Sequence, residues 1–188
     1  MKKLLLATAI LIGLAGLNAS SASARYDALP KVKNHLVIPG KSIGGLKLGT
    51  GMGKAKRMWQ AKKRGHCENP GYAPPDCWFV ESRPDLYDGA MGFFGRKHKV
   101  EQVYVTVGLN GRPSRSSVTA FVTPEGIRIG SSVRKLRRTY GSRLKLTREY
   151  DSKSFKIRHH GRVTTEFLVD RGIVFCMSVW KGKELNGS

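Results

Sequence analysis

Acidic side chains are scarce in this 188-residue sequence: 13 Asp and Glu stand against 34 Lys and Arg, a formal net charge of +21. Hydrolases that work by paired carboxylates therefore find few candidates here. Asp85 and Asp88 lie in one turn, and Glu149 and Asp151 straddle Tyr150, so all four read as solvated or locally paired charges. Cysteine is rarer still, with three residues, and the spacings of these to the five histidines match no zinc-ligand pairs. His159 and His160 are adjacent and in a strand would point to opposite faces, which disfavours a shared metal. No catalytic, cofactor or metal site is expected. A second long apolar run is also missing, which excludes a transmembrane helix beyond the N-terminal region.

Nucleotide-binding glycine motifs are absent as well, although one stretch imitates them. Residues 45–60, GLKLGTGMGKAKRMWQ, place three glycines between a short apolar strand and a basic helix. A P-loop needs a glycine where Leu48 stands and a Ser or Thr where Ala55 stands, and the dinucleotide fingerprint needs a glycine at Lys54. The G-x-S-x-G pattern at Gly40–Gly44 fails too, because Ser42 is followed by another short strand and not by a helix. A hydrolase of unknown type stays as the third function class.

What the glycine stretch does match is the chain itself. Residues 126–141, GIRIGSSVRKLRRTYG, align with 45–60 without a gap. Gly45, Gly49, Lys54 and Arg57 meet Gly126, Gly130, Lys135 and Arg138, while Met52 meets Val133 and Trp59 meets Tyr140. A repeated strand–glycine–helix unit indicates internal duplication. Aligning Phe94 with Phe167 extends it into the following strands, setting Val100 against Ile173 and Val103 against Cys176.

Residues 1–24 read as a cleaved signal peptide: Lys2 and Lys3, an apolar run from Leu4 to Leu17, then Ala22-Ser23-Ala24. The mature chain, expected outside the cytoplasm, carries 32 basic against 13 acidic residues, or +19. A lead-in covers 25–41, with one possible strand at Leu36–Ile38. Module 1 spans 42–107, GLNGRPSRSS at 108–117 is a linker, module 2 spans 118–180, and 181–188 is a flexible tail. In module 1 the helix is predicted over 52–64 with Gly65 as its stop, then strands at Trp78–Val80, Ala90–Phe94 and Val100–Val107, with GRKHK as the last turn. In module 2, Ser131 or Ser132 caps a helix with Val133, Leu136 and Tyr140 on its buried stripe. Gly141 ends that helix, and strands follow at Phe155–Arg158, Val163–Val169 and Ile173–Trp180. The expected class is α+β: two tandem repeats, each a short helix on a small antiparallel sheet of about three strands, together presenting one solvent-facing sheet surface.

Cys67 and Cys77 bracket a proline-rich loop in an exported chain, so a disulfide between them is expected, worth about 2–3 kcal/mol. Cys176 lies in GIVFCMSVW and is expected buried and reduced. The strand-Gly-helix turns, the cysteine-bracketed loop and the antiparallel strands together resemble the secreted β-lactamase-inhibitor-protein-like tandem modules. The small lipoprotein component of the outer-membrane barrel-assembly machinery is similar to one such module. The resemblance implies a non-enzymatic binding module that engages another protein through its sheet.

The positive signal is charge. Lys54 and Arg57 on the first helix, and Arg134, Lys135 and Arg138 on the second, are expected to face outward as a polyanion-binding surface. Aromatics are not interleaved with these cations, so no specific nucleic acid is indicated. The expected partner is an anionic envelope polymer or an acidic protein surface. The alternative is a secreted inhibitor of an extracellular enzyme that uses the sheet face. A monomer is expected.

Overall fold

The computed structural model describes residues 32, 34–61, 63–64, 76–81, 90–107, 117–149 and 152–182. The signal-peptide segment, the linker residues 108–116 and Cys67 lie outside them. The described strands form two antiparallel sheets. The smaller joins β1 (Val37–Ile38), β2 (Ser42–Ile43) and β3 (Leu46–Lys47). The larger has eight strands: β4 (Lys63–Arg64), β5 (Asp76–Glu81), β6 (Ala90–Arg96), β7 (Lys99–Thr106), β8 (Lys145–Glu149), β9 (Ser152–His159), β10 (Val163–Asp170) and β11 (Ile173–Lys181). Two helices, α1 (Met52–Trp59) and α2 (Val133–Tyr140), complete the α+β architecture.

The large sheet runs in the order β4-β5-β6-β7-β11-β10-β9-β8. Four strands thus come from each half, and β7 pairs with β11 at the junction. This corrects the expectation of two small sheets of about three strands. Lys181, expected in the tail, closes β11. β8 escapes a hydrophobic-pattern search because it is a charged sheet-edge strand whose Leu146 is 46% exposed.

Both helices lie on the same face. Residues paired across strands point to the same side, and Phe93 pairs with Val103, which pairs with Val179. Phe167 pairs with Met177 and, on its other side, with Phe155. Trp59 meets Phe93 edge-on at 5.7 Å, and Tyr140 meets Phe167 at 5.6 Å. All of these side chains are buried, as are Ala55 and Leu136 beside them.

The two helices start in the same way. Gly49 and Gly130 have φ of +79° and +86°, in the left-handed region where a side chain is strained. Gly49 N–H donates to Val100 O at 2.7 Å, and Gly130 N–H donates to Val174 O at 2.8 Å. Met52 N–H donates to His98 O and Val133 N–H to Gly172 O, both at 2.9 Å. Each helix start is therefore clamped to the hairpin of its own half. Ser132 caps α2 by accepting the Lys135 N–H at 3.2 Å, and Gly141 ends it with φ +52°.

Three local expectations need correcting. α1 stops at Trp59, not residue 64: Gln60 adopts φ +48° and Ala61 N–H closes onto Lys56 O at 3.1 Å, after which Lys63–Arg64 pair with β5. The strand alignment slips by one residue. The bulges between Phe94/Gly95 and between Leu168/Val169 are equivalent and mark the true correspondence: Phe93 matches Phe167, Val100 matches Val174 and Val103 matches Met177. A one-residue slip reverses the face of every side chain. Cys176, opposite Leu168 and Thr106, accordingly points away from the helices. Arg96 and Lys99 belong to strands, leaving Lys97-His98 as the hairpin turn.

Gly49→Ala and Gly130→Ala should each destabilise the fold by about 1–2 kcal/mol, the cost of a left-handed non-glycine residue. Urea unfolding of the two variants should show decreases of similar size; a decrease at only one position would mean that the two turns are not under the same constraint.

Candidate functional site

The outer surfaces of the helices carry the cations. On α1, Met52, Ala55 and Trp59 are buried, which leaves Lys54 and Arg57 exposed. Lys56 lies flat against the sheet side, its ammonium 3.6 Å from the centre of the Trp78 ring. On α2, Leu136 and Tyr140 are buried, which leaves Arg134, Arg137 and Arg138 exposed. Lys54, Arg57, Arg134 and Arg138 have no ion pair among the described residues. Lys135 departs from the expected outward position. Its Nζ turns back and donates to Gly126 O at 2.7 Å, so part of its charge is committed to the loop before α2.

The hairpin turns add cations that helical periodicity could not reveal. His98 O accepts the first N–H of α1 and Gly172 O that of α2, so Lys97 and Arg171 stand beside the helix starts. Lys97, His98 and Arg171 have φ of 51°, 62° and 47°, a region where glycine or asparagine is usual. GRKHK and DRG were legible as turns; their docking onto the helices depends on hydrogen bonds that sequence spacing does not report.

The second face of the large sheet is not the broad solvent-facing surface expected. Ser154, Ser178, Thr164 and Cys176 are 0%, 2%, 6% and 7% exposed. Glu166 sits among them, accepting from Ser154 Oγ at 2.6 Å and from Ser178 Oγ at 3.2 Å, with Lys156 Nζ 3.6 Å away. The alternation in SKSFKIRH, VTTEFLVD and IVFCMSVW already carries this polar row on one side of each strand. Phe94 and Tyr104 stack at 5.4 Å on the same side.

Burial, with the Glu166 carboxylate second, pushes the Cys176 thiol from its ordinary 9.0 up to about 12, against a smaller opposing effect of the Thr106 hydrogen bond. Cys176 is a free thiol, as expected from its apolar strand. The expected Cys67–Cys77 bond falls outside the described residues at Cys67. Ser42 is buried inside β2, paired across to Ile38 and Lys47, with no strand-to-helix elbow beneath it. The neighbouring His159 makes internal contacts: its ring lies 3.0 Å from Thr165 Oγ1, which also accepts Gly40 N–H at 2.7 Å. Burial and then nearby Arg143 lower the His159 pKa. Tyr140 donates to Glu125 at 2.9 Å and contacts Thr123 at 3.0 Å, tying the end of α2 to the loop before it. No cluster of three or more His, Cys, Asp or Glu suited to a metal ion occurs among the described residues.

No family model and no curated protein matches the chain. Among solved structures, it is similar to an extracellular protein containing an SCP domain from Bacillus anthracis, at 12% identity and a TM-score of 0.43. That match covers 71% of this chain and 44% of the other. A cysteine-rich secretory protein from Staphylococcus aureus matches at 12% identity and a TM-score of 0.42, over 84% of this chain and 51% of the other. The chain spans about half the length of each, and likeness at this level carries no function across. These neighbours correct the resemblance drawn from the sequence motifs: they are SCP-type and secretory proteins, not β-lactamase-inhibitor-protein-like modules or the barrel-assembly lipoprotein. The physical reason is that GLKLGTGM and GIRIGSSV record the backbone demands of a left-handed glycine before a helix, which is turn chemistry and not a family signature.

Cys176 should resist alkylation by iodoacetamide at pH 8 in the folded protein and react once guanidinium unfolds the chain. Because folding retains its proton, the stability it contributes should be whole below pH 9 and vanish as pH rises towards 12. Fast labelling of the native thiol at pH 8 would contradict its buried placement.

Proposed function

We propose that this chain is an exported, non-enzymatic binding protein that engages an anionic polymer of the cell envelope through its helix-bearing face. The reading rests on one observation. Two helices on the same side of a single sheet direct Lys54, Arg57, Arg134 and Arg138 outward with no carboxylate among the described residues to neutralise them. Lys97 and Arg171 extend each patch at the helix starts. The matching starts of α1 and α2 support descent from a duplicated module, and duplication supplies two patches for a repeating ligand such as a polymer. The leader-like composition of residues 1–24 supports export. An acidic protein surface would meet the same charge pattern, without the benefit of a repeated ligand.

Inhibition of an enzyme through the sheet has less support, because the middle of that face is filled by buried Ser154, Ser178 and Lys156 around Glu166. Charges solvated in the free protein contribute little to folding, within about 0.5 kcal/mol each. They contribute to polyanion binding by releasing condensed counterions, so the two effects separate experimentally.

Replacing Lys54, Arg57, Arg134 and Arg138 by glutamine should leave the unfolding transition nearly unchanged. Binding to oligo(dT), used only as a polyanion, should weaken, and its log affinity against log salt should flatten by about 0.7 for each phosphate that is no longer neutralised. Unchanged affinity with unchanged slope would reduce the helix cations to a solvated surface and overturn the reading.

A further inference from the structure

A second, smaller feature lies beside α2 and shares only Arg171 with the polyanion surface. Where the helix meets β9 and the β10–β11 turn, a cleft of about 350 Å³ opens. Arg137, Lys153 and Arg171 stand around it, and the side chains of Phe155 and Val169 line it. Phe155 and Val169 are each 2% exposed and belong to the core; the cleft is where the core comes nearest the surface between cationic side chains. Lys153 sits opposite Val169 across the β9–β10 pair, so both are on the helix-bearing side of the sheet. The Arg137 guanidinium carbon lies 5.5 Å from the centre of the Phe155 ring, within cation–π range, and no ion pair among the described residues occupies its N–H groups.

The charge count selects the ligand class. Among the described residues Asp170 is the acid at the cleft, 3.8 Å from Arg171, and these residues leave two positive charges over. Lys153 and Arg137 have no ion pair among the described residues. A carboxylate would neutralise one charge, whereas a phosphate monoester at neutral pH brings about 1.5–2 negative charges and three acceptor oxygens. Half-buried Val133 completes the lining and favours an ester with an apolar body over inorganic phosphate, which would leave Val133 facing water.

We infer that the Arg137–Lys153–Arg171 cleft binds a phosphate monoester whose apolar body rests against Val133. The phosphate can belong to a soluble ester or to a lipid headgroup, since both present the same dianion on an apolar body.

Phenyl phosphate and inorganic phosphate, titrated into the full chain, test it by methyl NMR at Val133 and by calorimetry. Phenyl phosphate should shift the Val133 methyls and bind about tenfold more tightly than inorganic phosphate, through its buried ring carbons. Lys153→Gln, and separately Arg137→Gln with Lys153→Gln, should weaken it at least fivefold with the thermal transition retained. Lys153→Gln, whose exposed side chain is outside the core, keeps the test readable if the double variant unfolds. Arg134→Gln with Arg138→Gln should leave it unchanged, which separates this site from the polyanion surface. Vesicles of phosphatidylcholine with and without phosphatidic acid form the second arm. With Lys54, Arg57, Arg134 and Arg138 already replaced by glutamine to remove the polyanion surface, loss of capture on adding Lys153→Gln assigns the headgroup as the source, and capture unaffected by it assigns the soluble ester. Equal affinity for the two phosphates, or full binding by both cleft variants, would overturn the inference.

Discussion

The antiparallel pairing of β7 with β11, from Thr106 opposite Cys176 to Gln102 opposite Trp180, sets the geometry of both halves of the molecule. Without it each half would be a helix on four strands with an unpaired central edge, an invitation to pairing with another chain. With it, Val103, Val105, Met177 and Val179 become adjacent buried positions beneath both helices. One core then serves two helices, and the cations on their outer surfaces come to lie on a common side. The charge pattern that supports polymer binding is thus a consequence of a backbone ladder on which none of those cations lies.

The helix starts follow the same logic at closer range. Thr50 O and Ser131 O accept from Val100 and Val174 at 2.8 and 2.9 Å, returning the bonds that Gly49 and Gly130 donate. Each start is therefore fixed on both sides by reciprocal hydrogen bonds, and the hairpin turn cannot move independently of its helix. Gly95 belongs to this arrangement: a Cβ there would run into the Met52 side chain and Lys99 O, so α1 can approach β6 only over a glycine.

Much of this was legible wherever local rules decide the outcome. The ungapped match of 45–60 with 126–141 identified both left-handed glycines, and spacing of three and four residues identified Leu136 and Tyr140 as inward and Arg134 and Arg138 as outward. The illegible parts depend on contacts distant in sequence. Lys62 to Arg64 favour helix locally, yet α1 ends at Trp59 and Lys63–Arg64 become the partner of β5. Aromatic identity drew Phe94 onto Phe167, but the matching bulges after Phe94 and Leu168 pair those two positions and make Phe93 the partner of Phe167. Lys135 shares the charge and spacing of its neighbours, and only the approach of the Gly126 carbonyl sets it apart. The Glu166 group was present as alternation in three strands, but its convergence required their register.

The hairpin turns also bear on how this chain can be changed. Lys97, Arg162 and Arg171 all hold left-handed backbone that glycine or asparagine would adopt with less strain. Conformational ease and net charge therefore pull in opposite directions at the same three positions. Sequence optimisation guided by folding stability alone would erase cations there one turn at a time, and the resulting protein would be sturdier and less attracted to anionic surfaces. Thermal robustness and electrostatic reach are in this sense competing traits of one set of turns.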